Sequence, residues 1–213
     1  MKCVGLLGGT FNPIHYGHLR MAQELAEALN LDEVRFIPSA NPPHKAAPTV
    51  SAGHRAEMVE LAIEDNPLFT CDRRELKRAG ASYTIDTLIS LREALGNNVA
   101  LCLIMGSDAF TKLNTWHRWQ ELLDFCHLIL VQRPNSLAKE PLNKELELFL
   151  HQHYTEHQED LSTQAAGYIH MHAITALDIS STAIRLAFQN TLSTQYLMPE
   201  AVINYIQTHQ LYV

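Results

Sequence analysis

Lys2-Cys3-Val4-Gly5-Leu6-Leu7-Gly8-Gly9-Thr10-Phe11-Asn12-Pro13-Ile14-His15-Tyr16-Gly17-His18-Leu19 is the stretch that decides the fold. The short apolar run Lys2–Leu7 reads as a strand buried on both faces, as in a parallel sheet. From Leu19 onward, Leu19, Ala22, Leu25, Ala26 and Leu29 recur at helical spacing, with Glu24 and Glu27 off that stripe, so Leu19–Leu29 reads as a helix. Two glycines, a proline turn and a histidine pair therefore sit at a strand-to-helix junction. Glycine lets backbone approach a ligand closely, and a helix start presents unpaired N–H groups and partial positive charge. Imidazoles add donors that change charge near neutral pH. The junction is suited to hold a phosphate, with Thr10 and Phe11 offering N–H groups beside Gly8 and Gly9 and with His18 in the first helical turn.

Outward from this junction, strand and helix alternate. Glu33–Pro38 reads as a strand, Asn41–Pro48 as a proline-rich loop, His54–Glu64 as a helix, Phe69–Asp72 as a short strand and Thr84–Leu95 as a helix. Val99–Met105 reads as a central strand with Gly106-Ser107-Asp108 at its carboxyl end. Trp119–Asp124 is helical, Cys126–Gln132 and Tyr168–His172 are strands, and Ser181–Phe188 and Pro199–His209 are closing helices. The pattern predicts an α/β fold, a doubly wound parallel sheet with helices on both faces. Asn135–Ala166 breaks the rhythm and is expected as a helical surface insertion within one domain spanning residues 1–213. Ligands of such sheets bind beyond the carboxyl ends of the strands. The segments after Leu7, Pro38 and Met105 all begin there.

Bulk properties narrow the function. The 213 residues are 46% apolar and 18% charged, enough to bury a large core, and the net charge is −7. That balance argues against a broad nucleic-acid or anionic-membrane surface, so a polyphosphate must meet a local positive site. No apolar run reaches the roughly 18 residues of a membrane span, and the start lacks the features of a signal peptide. Cys3, Cys71, Cys102 and Cys126 are scattered without a C-x-x-C pair, which predicts free, mostly buried thiols in a reducing cytoplasm.

A second motif, Asp178-Ile179-Ser180-Ser181-Thr182-Ala183-Ile184-Arg185, carries the other half of the chemistry. Ser180 or Ser181 is a natural N-cap, and the hydroxyls with the free N–H groups make another anion site. Arg185 lies four residues after Ser181, on the same helix face. Its side chain leans back toward the helix start, where a guanidinium can grip an anion bidentately. No P-loop, G-x-G-x-x-G or G-x-S-x-G pattern occurs, which argues against a P-loop kinase, an ordinary dinucleotide dehydrogenase and a serine hydrolase. His15 and His18 lack a third ligand at a helical offset, so no metal site is expected from them. His151, His153, His157, His170 and His172 are expected to be structural or solvated.

Gly8–Leu19, with its His15-x-Gly17-His18 core, and Ile179–Arg185 resemble the paired signatures of the nucleotidyltransferase superfamily built on a Rossmann-like fold. Within it the chain is most similar to bacterial nicotinate-nucleotide adenylyltransferases, over nearly its whole length. Asn41-Pro42-Pro43-His44-Lys45, Ser82–Leu88, Gly106-Ser107-Asp108, Trp116-His117-Arg118-Trp119 and Arg133-Pro134 carry that closer match. The resemblance implies transfer of AMP from ATP to nicotinate mononucleotide, by in-line attack of the acceptor's own phosphate, with Mg²⁺ held mainly by phosphates and water. It implies that His15 and His18 hold the ATP phosphates. Arg185, with Ile179, Ser181 and Thr182, would hold the leaving pyrophosphate, and Lys45 would add charge. Gly106 and Asp108 would line the nucleotide pocket, Asp108 accepting from ribose hydroxyls. Trp116 would stack on the nicotinate ring, with Tyr83 and Thr84 near its carboxylate. A transferase with another acceptor, NMN or pantetheine phosphate, and a non-catalytic nucleotide-binding module are the competing readings.

Overall fold

The computed structural model describes residues 1–42, 48–132 and 142–213. One sheet contains β1 (Lys2–Gly9), β2 (Glu33–Pro38), β3 (Phe69–Cys71), β4 (Val99–Gly106), β5 (His127–Gln132), β6 (Tyr154–Thr155) and β7 (Ile169–Ala173). Their order is β3-β2-β1-β4-β5-β7-β6, and every neighbouring pair is parallel. The helices are α1 (Tyr16–Ala28), α2 (Ala52–Ile63), α3 (Thr84–Leu95), α4 (Ser107–Phe110), α5 (Leu122–Phe125), α6 (Lys144–His153), α7 (Ser181–Gln189) and α8 (Glu200–Thr208). The expected Rossmann-like α/β architecture is the one found.

Strand periodicity of two splits the interior into two cores. Leu101, Leu103 and Met105 of β4 pack with Val4 and Leu6 of β1 against Ile85, Leu88 and Leu91 of α3. Cys102 and Ile104 point the other way, with Cys3 and Leu7, toward α1, α2, α7 and α8. Each leucine fully buried in this way stabilises the fold by about 1.5–3 kcal/mol. Both faces of the sheet are covered, which explains the near-continuous apolar runs of β1 and β4.

β1 extends two residues beyond its predicted end, because Gly8 and Gly9 stay in register with Ile37 and Pro38 of β2. The glycines therefore lie on the strand, and the turn begins at Thr10. Chain order reverses between β1 and β4, which are neighbours paired from Lys2 with Val99 to Leu6 with Leu103. This is the switch point at which open α/β sheets bind ligands. The three unusual segments, after β1, β2 and β4, leave from adjacent strands at that edge.

The segment expected as a surface insertion is more integrated than that. Its Tyr154 and Thr155 pair with Ile169 and His170 as an edge strand. Leu146 and Leu161 are buried, one in each core. Apolar residues spaced through a polar stretch hid this role. The four cysteines are free, and Cys3, Cys102 and Cys126 are buried, as expected. Burial pushes the Cys126 thiol up to about 12, so it is a packing residue with no thiolate chemistry.

Candidate active site

The first turn is built for close approach. His15 is extended (φ −154°) and precedes α1, and its carbonyl accepts from the His18 and Leu19 amides at 2.9 and 3.3 Å. This places His15 and His18 one turn apart, their rings stacked with centroids at 3.8 Å. Phe11, in the left-handed region at φ 45°, lies edge-on to the His18 ring at 5.2 Å. His15 is buried and His18 half-buried. Gly17 suits this packing: a β-carbon there would sit 3.0 Å from two atoms of the His15 ring, which would have to shift by a few tenths of an ångström to admit it. That β-carbon would stand 3.6 Å from the Ile179 carbonyl, an ordinary van der Waals contact, so the second motif packs directly beside this turn.

The second motif meets the first directly. Ser180 is the N-cap of α7, its hydroxyl accepting from the Ala183 amide at 3.2 Å. Ser181, the other capping candidate, instead donates to the Pro13 carbonyl at 2.9 Å. Arg185 donates through Nη1 to the Asn12 carbonyl at 2.8 Å and through Nη2 to the Thr182 hydroxyl at 3.2 Å. In the structure the guanidinium expected to grip an anion bidentately donates to protein from both Nη groups: two of its five N–H donors are committed, and they fix its plane. Neither α1 nor α7 has an acidic residue in its own first turn to offset the positive helix end.

Arg55 is a residue that sequence reading missed. It is 1% exposed, and among the described residues its hydrogen-bond partners are all backbone carbonyls. Nη1 donates to the Thr10 carbonyl at 2.6 Å, Nη2 to the Ser39 and Ala40 carbonyls at 2.7 and 3.4 Å, and Nε to the Val50 carbonyl at 3.3 Å. Burial lowers its pKa. The signal was its phase: Arg55 lies on the same α2 stripe as Met58, Val59 and Ile63, where an arginine headed for solvent would not be. It straps the β1 turn to the segment after β2.

That segment is tied in turn to the start of α3. The Ser82 hydroxyl accepts from the Ala40 and Asn41 amides, both at 3.1 Å. Arg78 donates to the Tyr83 carbonyl at 3.4 Å and to the Thr87 hydroxyl at 3.2 Å, and Thr87 donates to buried Glu75 at 2.8 Å. Tyr83 immediately precedes α3 and Thr84 opens it. The Tyr83 ring lies 4.5 Å from that of His117, which brings the Tyr83-Thr84 and Trp116-His117 segments together. Trp116 is half-buried against the second core, whereas Trp119 is inside it. Gly106 precedes α4 and Asp108 lies exposed in its first turn. Among the described residues, a β-carbon on Gly8 or on Gly106 would meet no atom within 4 Å. Lys45 and Arg133-Pro134 fall outside the described residues.

A groove elsewhere, of about 690 Å³, is lined by Arg35, Arg73 and Arg74 among others. Its arginines are matched by carboxylates: Arg73 by Glu57 and Glu60 at 2.7 and 2.6 Å, Arg74 by Asp72 at 2.7 Å and Arg35 by Glu33 at 2.7 Å. It is an ion-pair network, not an anion site. Among the described residues no group of three or more His, Cys, Asp or Glu could hold a metal ion. His153 and His170 bond the Gly167 and Thr155 carbonyls, which makes them structural. Among the described residues no helix is long and apolar enough to cross a membrane.

A parallel sheet whose switch-point turn carries stacked histidines, closed by a second helix start with an arginine, defines a nucleotide-transfer fold, and the chain belongs to the cytidylyltransferase-like family, whose model matches residues 6–187. It is 44% identical over 211 residues to a probable nicotinate-nucleotide adenylyltransferase of Hydrogenovibrio crunogenus, covering 99% of this chain and 98% of the relative. It is 45% identical over 202 residues to the protein so named in Halorhodospira halophila, covering 95% and 91% of the two chains. At that likeness the family is, more narrowly, that of the nicotinate-nucleotide adenylyltransferases. The fold is also that of Plasmodium falciparum nicotinic acid mononucleotide adenylyltransferase complexed with NaAD, with a TM-score of 0.72, 17% identity and coverage of 100% and 98%.

Proposed function

We propose that this chain transfers AMP from ATP to nicotinate mononucleotide, yielding the deamido dinucleotide and pyrophosphate. The observation that carries the reading is the bond from Arg185 to the Asn12 carbonyl, which joins the starts of α1 and α7 into one anion-binding wall. A bond forms between the acceptor phosphate oxygen and the α-phosphorus. The bond from that phosphorus to the β-bridging oxygen breaks, and pyrophosphate leaves with its electrons. No protein nucleophile is needed, so catalysis is positioning plus stabilisation of developing charge.

His18, in the first turn of α1, faces the transferring phosphate, and stacked His15 orders it. The remaining donors of Arg185, with Thr182, the Ser181 amide and the Ile179 segment, hold the β- and γ-phosphates. The Gly8-Gly9-Thr10-Phe11 segment lies against the triphosphate, and Lys45 adds charge. No described residue crowds the place where a β-carbon on Gly8 or Gly106 would project, which fits nucleotide lying there. Asp108 takes the ribose hydroxyls. Trp116 stacks on the nicotinate ring and the Tyr83-Thr84 turn meets its carboxylate. N–H donors there favour an acid over an amide, whose NH₂ would face donor with donor.

Imidazole, guanidinium and amide donors suit phosphate oxygens and not a hard cation. Magnesium therefore enters as part of the substrate, MgATP, held by phosphate and water, and serves to neutralise the polyphosphate. The reaction runs on residues 1–213 as one catalytic unit, in the cytoplasm.

The test is pyrophosphate release from MgATP with nicotinate mononucleotide, NMN, phosphopantetheine or no acceptor. Release with nicotinate mononucleotide, at least tenfold faster than with NMN, is expected. Release only with another acceptor makes the chain a related transferase, and ATP binding without release under any condition makes it a binding module.

A further inference from the structure

Beyond α8 the chain turns back through Gln210, in the left-handed region at φ 50°, and the Leu211 amide bonds the Ile206 carbonyl at 3.0 Å. This lays Tyr212 into the interior, 8% exposed, its ring 6.3 Å from that of Phe188 in α7. Its hydroxyl donates to Asn12 Oδ1 at 2.6 Å, across 200 positions of sequence. Asn12 is thus held twice, its carboxamide by Tyr212 and its carbonyl by Arg185.

The contact is not explained by packing. A phenylalanine would fill the same core, and a buried hydroxyl costs stability unless it is bonded. Burial pushes the Tyr212 pKa well above the usual phenol range, and the neighbouring Arg185 and Arg55 pull against that. The phenol is therefore a neutral donor at any working pH. The two cations that act on it are the ones gripping the Asn12 and Thr10 carbonyls, so the hydroxyl lies at the buried side of the phosphate turn.

We propose that Tyr212 is a positioning residue for nucleotide binding: through its bond to Asn12 it sets the carbonyl to which Arg185 is anchored, and so aims the guanidinium at the phosphates. The segment after α8 is then part of the site without touching substrate. The inference rests on the proposed ATP site, and not on which acceptor is used.

Tyr212→Phe removes one hydroxyl and keeps the ring, and Asn12→Ala reads the same link from the other side. ATP affinity by calorimetry and kcat/KM for MgATP are measured on the full chain for wild type, each variant and the double variant. Tyr212→Phe should weaken ATP binding about tenfold, one hydrogen bond's worth in a site that requires alignment. The KM for nicotinate mononucleotide should stay within twofold. The double variant should be no worse than Asn12→Ala alone, because the phenol acts through that side chain. Unchanged ATP affinity in Tyr212→Phe, or losses that multiply in the double variant, would overturn the proposal. A wild-type chain that binds ATP but transfers nothing would overturn the proposed reaction while the binding comparison still decides the role of Tyr212.

Discussion

Arg185 Nη1 donates to the carbonyl of Asn12 at 2.8 Å, linking residues 173 positions apart. With Ser181 bonded to the Pro13 carbonyl, this is the physical join between the two halves of the proposed phosphate site. Arg185→Ala removes a cation and leaves a half-buried carbonyl without its donor. The KM for MgATP should rise about 10- to 100-fold, the worth of a charge-assisted contact. Arg185→Lys keeps charge but loses the planar fork and should recover only part of the loss. An unchanged KM for MgATP in the alanine variant would remove Arg185 from the site.

The proposed stacking role of Trp116 distinguishes the acceptor from the donor. An indole face against the charged nicotinate ring is worth about 0.5–2 kcal/mol. Trp116→Ala should raise the KM for nicotinate mononucleotide about tenfold and move that for ATP less than twofold. Equal effects on both substrates would indicate a packing role only.

Arg55 should be felt in stability. Its guanidinium satisfies carbonyls of Thr10, Ser39, Ala40 and Val50 at once. Arg55→Met keeps much of the volume and strands those acceptors, which should cost about 3 kcal/mol in urea unfolding. A loss below about 1 kcal/mol would show that water or a rearranged loop replaces the strap.

Acid should weaken the fold through His127. The imidazole is fully buried, donates through Nε2 to the Gln164 carbonyl at 2.9 Å and accepts at Nδ1 from the Tyr168 amide at 3.0 Å. Burial lowers its pKa, and that of His172 shifts the same way. The neutral form is favoured in the folded chain, so the unfolded chain gains the proton first. Stability is full above the ordinary imidazole value of about 6.5 and falls below it, by up to about 1.4 kcal/mol per pH unit for each group. Urea midpoints at pH 7.5 and 5.5 should show the loss, and His127→Gln should shrink it. A midpoint that rises on acidification would contradict this sign.

The legible features were local in sequence. Apolar runs exposed β1 and β4, helical phase exposed α1 and α2, and both candidate phosphate motifs stood out as glycine, hydroxyl and imidazole clusters at element starts. Strand order was not legible, since which strand pairs with which depends on contacts far apart in the chain. The same distance hid Arg55 and Tyr212, whose partners are carbonyl or amide groups with no signature of their own. An arginine in phase with Met58 and Val59 was the one clue available. Leu146 and Leu161 were lost in a charged stretch because periodicity there is too sparse to distinguish a buried face.

The central claim is that one triphosphate is gripped by His18 from one chain segment and Arg185 from the other. A crystal structure of the chain with a non-hydrolysable ATP analogue and magnesium tests it most directly. Phosphate oxygens are expected within about 2.7–3.2 Å of an imidazole nitrogen of His18 and of the Arg185 guanidinium. Phosphates seated against only one of the two, or bound away from the ends of β1 and β4, would contradict it.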